Sequence, residues 1–83
     1  MKLVIISPES TVEHTIAWIE LPTHDGSIVV QRGHEPLLVI LKSNQPIVFK
    51  LKTGKQAEII IQDGLARIER EEVLLIVQLA HSI

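Results

Sequence analysis

Eighty-three residues with a formal charge of −2 and no Cys bound the chain to one small domain, which buries only a little over ~60% of the surface its unfolded form exposes. The eight Lys and Arg are scattered among ten Asp and Glu, so no basic stripe exists to neutralise phosphates. Trp18 and Phe49 alone cannot build a base-stacking platform, which excludes nucleic acid as a partner, and the absence of thiols excludes disulfide frameworks and thiolate metal sites.

The apolar content, 46% of the chain, is carried by Val, Ile and Leu, whose branched side chains fit a pleated strand better than a helix. Residues 1–83 therefore read as a single all-β domain. Leu3 to Ile6 is a continuous apolar run, the pattern of a strand buried on both faces. It is too short for a signal-peptide core, and no run approaches the ~18 apolar residues of a membrane span, so membrane contact is expected only through another protein. Ser7-Pro8-Glu9-Ser10 ends the run, because Pro8 has no N–H to give a ladder. Thr11-Val12 then reads as a short strand. His14 to Leu21 reads as another, with Ile16 and Trp18 on one face and Ala17, Ile19 and Leu21 on the other.

Leu21-Pro22 closes that strand and Asp25-Gly26 turns the chain into Ile28-Val29-Val30. Gly33-His34-Glu35-Pro36 turns it again into Leu37 to Leu41. Gly33 is free to take positive φ there, and Pro36 fixes its own φ while restraining Glu35. After a polar connection from Lys42 to Pro46, Ile47, Phe49 and Leu51 alternate with Val48, Lys50 and Lys52, as a half-exposed antiparallel strand requires. Thr53-Gly54-Lys55 turns back into Ala57, Ile59 and Ile61. Asp63-Gly64 carries the residue types of a two-residue hairpin turn. The stretch Leu65–Leu79 fits either a helix or a hairpin with a polar turn over Glu69–Glu72 and a strand from Val73 to Leu79. Glu72 interrupts the helical stripe, and the surrounding strands favour the hairpin. The sum is a small antiparallel β-sandwich of about ten short strands in two sheets. Pressed face to face, the sheets would cover the doubly apolar runs and leave Lys50 and Lys52 in water.

No constellation for chemistry emerges. His14, His24 and His34 recur every ten residues, but none of the close pairs that commonly supply metal ligands is present, so His24 with Asp25 and His34 with Glu35 read as surface turn residues. Ser7, Ser10, Ser27, Ser43 and Ser82 have no elbow motif or adjacent base. Gly26, Gly33, Gly54 and Gly64 are isolated, unlike a phosphate cradle, and Glu69, Glu71 and Glu72 read as a solvated hairpin tip. The expectation is a non-catalytic module, with no cofactor or metal, that contacts other proteins. Trp18 is either part of a contact patch or a core residue.

Taken in order, several segments resemble the N-terminal β-sandwich domain of the epsilon subunit of F-type ATP synthase (the delta subunit in mitochondria). They are Met1–Glu9, Leu21-Pro22, Asp25–Ile28, Gly33–Leu38, Leu41-Lys42, Ile61–Leu65 and Val73–Val77. The resemblance spans nearly the whole chain. It implies a ten-stranded sandwich in the central stalk, bound to the gamma subunit and seated on the ring of c subunits at the cytoplasmic face of a bacterial inner membrane. There it carries no chemistry and helps couple proton-driven ring rotation to gamma during ATP synthesis. By position it implies that Ser7, Ser27, Gly33, His34, Glu35 and Leu38 lie in the contact region for gamma and the c ring.

Three departures from the family pattern stand out. Val29 replaces a small residue. Gln31-Arg32 replaces an apolar-Pro pair, which puts Arg32 as a cation at the loop tip, placed to face acidic or polar loops of the ring. The sequence stops at Ile83, just past the last expected strand, so the family's C-terminal helical hairpin is missing from it, and braking of hydrolysis and nucleotide binding are not assigned. The alternative reading is a stand-alone β-sandwich ligand-binding module, for carbohydrate for instance. That reading calls for exposed aromatics on one sheet face.

Overall fold

Alternating side chains become seven strands over residues 1–80, the part of the chain that the computed structural model describes. Ser82 and Ile83 lie outside the described residues. The strands are β1 (Lys2–Ile6), β2 (Thr11–Thr23), β3 (Gly26–Gln31), β4 (Leu37–Ile40), β5 (Pro46–Leu51), β6 (Gln56–Ile68) and β7 (Glu72–Leu79). The all-β sandwich is as expected, with seven strands in place of about ten. The difference lies in β2 and β6, thirteen residues each, which each serve both sheets and so replace pairs of short strands. Sheet I runs in the order β2 (residues 11–15), β1, β7, β6 (61–68), β4. Sheet II runs β3, β2 (16–23), β5, β6 (56–60).

Both long strands change sheet at a slip in register, between Ile16 and Trp18 in β2 and between Ile61 and Asp63 in β6. An extra residue at each slip, Ala17 and Gln62, bends the strand and resets which side chains point inward. The strict alternation expected over His14–Leu21 therefore fails at Ala17. Ile16 shares the core with Ile19 and Leu21, while Trp18 stands half-buried on the outside of sheet II. The turn expected at Asp63-Gly64 is also corrected, since both residues lie inside β6. Gly64 is there for close approach: a Cβ would sit 2.7 Å from the Ile76 carbonyl oxygen and 2.7 Å from Val77 Cγ1. The hairpin reading of the last third holds, with β6 and β7 antiparallel from Ile68↔Val73 onward.

Because β2 and β6 belong to both sheets, pairing closes a circuit, β1–β7–β6–β5–β2–β1, with β3 and β4 attached outside it as edge strands. β1 lies parallel to β7 and antiparallel to β2. The space between the sheets is filled by Leu3, Ile5, Ile19, Leu21, Ile47, Phe49, Ile61 and Leu75 among others, with no buried polar or charged side chain among the described residues. Covering such side chains supplies about 1.5–3 kcal/mol each.

Candidate functional site: an apolar sheet face and its corner

In β1, Leu3 and Ile5 point into the core, so Lys2, Val4 and Ile6 point out. In β7, Val73, Leu75 and Val77 point in, so Glu72, Leu74, Ile76 and Gln78 point out. Strand register then sets which outward side chains are neighbours. Ile6 stands beside Ile76, Ile76 beside Leu65, and Leu65 beside Ile40. This is an unbroken apolar row across four strands. The next row reads Glu13, Val4, Leu74, Arg67, Leu38. Ile76 is 46% exposed, Leu38 66% and Ile40 71%. In β4 Leu37, Leu38 and Ile40 are all exposed, and the expectation that two packed sheets would cover the doubly apolar runs holds for one side of β1 and β7 only. Their other side remains a face of the molecule, and exposed apolar surface in a continuous patch marks an interaction site.

Charged residues border the face. Lys2 Nζ lies 3.3 Å from Glu13 Oε1 and 3.8 Å from Glu72 Oε1, and Arg67 Nε donates to Glu69 Oε1 at 3.0 Å. At the opposite border Ser7, Pro8, Asp63 and Gln78 line a shallow groove against Ile6 and Ile76.

The β3–β4 turn forms a corner beside this face. Gly33 takes φ +87° with open space around it, and its N–H donates to the Arg70 carbonyl at 2.7 Å. The corner is therefore docked on the β6–β7 turn. Arg32 Nε donates to Glu71 Oε1 at 3.1 Å, which reinforces the same contact and gives Arg32 a partner within its own chain. His34 N–H closes the turn on the Gln31 carbonyl at 3.2 Å, and His34 Nδ1 donates to the Glu35 carbonyl at 2.8 Å. Beyond the corner, an open cleft of about 450 Å³ separates Ile28 of β3 from Leu37, Leu38, Val39 and Ile40 of β4, with Thr23, His24 and Asp25 at its end.

Of the residues singled out in the sequence, Leu38 lies on the apolar face and Ser7 at its border. Gly33, His34, Glu35 and Arg32 make up the corner. Ser27 stands apart on β3, paired with Pro22 of β2. Ile6, Ile40, Leu65 and Ile76 were not picked out from the sequence. The signal for three of them was the doubly apolar run, in which every second residue has to face away from the core. His14 packs its ring 5.4 Å from that of Phe49, and no three His, Asp or Glu gather as a metal site among the described residues.

The whole chain, residues 1–83, matches the family model of the ATP synthase delta/epsilon chain β-sandwich domain. The ATP synthase epsilon chain of Prochloron didemni is 33% identical over 79 residues, covering 93% of this chain and 56% of its own length. That of Cyanothece sp. (strain PCC 7425 / ATCC 29141) is 32% identical over 78 residues, covering 92% and 54%. The chain spans about half the length of the curated relatives it matches. Among solved structures, a chain of the Euglena gracilis mitochondrial ATP synthase (OSCP/F1/c-ring, rotational state 1) superposes with TM-score 0.82 at 20% identity, covering 90% of this chain and 48% of that one. A chain of the Tetrahymena thermophila mitochondrial ATP synthase central stalk/c-ring gives 0.80 at 14% identity, covering 94% and 63%. At these identities the two likenesses establish the fold alone.

Proposed function

We propose, from the premise that the chain belongs to the ATP synthase delta/epsilon β-sandwich family, that it is a non-catalytic central-stalk subunit of a proton-translocating ATP synthase. Residues 1–83 act in it as one β-sandwich unit that links the gamma subunit to the c ring at the cytoplasmic face of a bacterial inner membrane. Its work is mechanical. The subunit holds two partners in fixed relation while the ring turns, and the catalytic head performs the chemistry.

The observation that carries this reading is the row Ile6–Ile76–Leu65–Ile40 on the outside of sheet I. An obligate protein neighbour takes such a surface, and covering each half-exposed Ile there contributes about 1 kcal/mol. In this reading gamma lies on the row, with Leu38 on its footprint and Ser7 at its border. The corner formed by Arg32, Gly33, His34 and Glu35 then reaches gamma and the ring beyond it, together with Ser27 on β3. Docking of the corner on the β6–β7 turn supports that placement, because a contact that transmits torque has to be held by more than a free loop.

The test is to mix the purified chain with the gamma subunit from the same source and follow the mixture by size exclusion. A stoichiometric complex at micromolar concentration is expected. Failure of the folded protein to associate there would overturn the reading.

A further inference from the structure

We infer that the outer face of sheet I is complementary to itself, so that two copies of this chain pair through it. The inference goes beyond the gamma reading and stands on strand register alone. Consider a two-fold axis lying parallel to the strands, midway between β1 and β7. It sets β1 of one copy opposite β7 of the second, and β2 opposite β6.

Register then dictates the contacts level by level. Lys2 meets the second copy's Glu72, Val4 meets Leu74 and Ile6 meets Ile76, while on the flank Glu13 meets Arg67 and Thr11 meets Leu65. Both charged contacts are opposite in sign and both central contacts are apolar, and the symmetry makes each of them twice, as an isologous interface requires. The register is also selective. Moving the axis onto β7 would set Val4 against Arg67 and Glu13 against Leu38, burying two charges on apolar partners. Sheets stacked this way keep strands close to aligned, the usual arrangement of two packed faces.

The occupant is therefore a second copy, chosen by charge complementarity across the rim. Four strands at ~4.8 Å spacing and three outward levels at ~6.7 Å give roughly 400 Å² per copy. The total, about 800 Å², is below the ~1,200 Å² of stable complexes and describes a weak, reversible pair. β4 falls outside this footprint, so Leu38 and Ile40 stay uncovered in the pair.

Sedimentation velocity of the full chain from a few micromolar to about 1 mM tests this. A monomer–dimer equilibrium with a dissociation constant on the order of 100 µM is expected. Ile76→Lys should remain monomeric throughout. Glu13→Gln or Arg67→Gln alone should weaken pairing about threefold, and the two together should weaken it no further than the larger single loss, because either change already removes the same cross-copy pair. Melting curves on each variant verify folding, since both charged positions are more than half exposed. A monomer at every concentration would overturn the inference. So would a dimer that survives Ile76→Lys, which would pair through an edge strand instead, or a double variant whose loss is the product of the two single losses.

Discussion

On the outside of sheet I four aliphatic side chains stand shoulder to shoulder, whereas on the outside of sheet II two successive levels mix apolar residues with polar ones and, among the described residues, only Pro46 and Ile60 meet as an apolar pair. Across sheet II one level reads Gln31, Trp18, Lys50, Gln56 and the next Val29, Glu20, Val48, Glu58. Both sheets bury their inner faces in the same core, so core packing does not explain the difference. In an alternating face each apolar side chain has polar neighbours whose stems give partial cover, and even Val29, 52% exposed, stays isolated. An unbroken row has no such cover. The lesson is that cross-strand order, and not apolar content along one strand, separates a solvated face from a docking face.

Breaking the row should give the largest effect. Replacing Ile40 and Ile76 together by Ser should weaken gamma binding about a hundredfold, ~2.7 kcal/mol. The matching pair on sheet II, Val48→Ser with Lys50→Ser, should change it less than about twofold. Calorimetric titration measures both, and equal losses from the two sheets would erase the functional contrast between them. A somewhat smaller effect, on stability alone, is expected at β6, one of the two strands that the sheets share. Gly64→Ala forces a methyl group onto the Ile76 carbonyl and Val77 and should cost about 1–3 kcal/mol in chemical denaturation, with gamma affinity preserved well below the melting point. The smallest effect belongs to the corner. The Arg32–Glu71 pair is exposed, 72% and 67%, so Arg32→Glu should lower stability by less than about 1 kcal/mol. Its sharper signature is faster amide exchange at Gly33, reversed when Glu71→Arg is added. Exchange unchanged by the single reversal would show that the backbone bond to Arg70 holds the corner unaided.

Much of this fold is legible along the chain. Ile47-Val48-Phe49-Lys50-Leu51 states its two faces by alternation, and the polar break at Glu69–Glu72 marks the last hairpin. Hidden were the places where the chain departs from a local rule for a distant reason. Gly64 has the residue context of a turn, yet it is required because β7 passes against it. Ala17 and Gln62 look like ordinary strand residues, and only the need to turn from one sheet into the other makes them bulges. The candidate site shares this property. Gly33, His34 and Pro36 announce a corner locally, but the neighbourhood of Ile6, Ile40, Leu65 and Ile76 exists only once β1, β4, β6 and β7 are registered.

The parallel pairing of β1 with β7 sets an order of events during synthesis. Lys2 is matched with Glu72, seventy positions downstream, so at ~5–20 residues per second β1 waits roughly 4–14 s for its second neighbour. Until then it has β2 along one edge and an open ladder of N–H and C=O groups along the other, beside Leu3, Val4, Ile5 and Ile6. Neighbouring nascent chains on one message that have passed β2 and not yet reached β7 all carry this open edge, which makes this interval the one most exposed to mispairing between them. Closing the strand circuit is the slow, long-range step of folding, and it is also the step that removes the hazard.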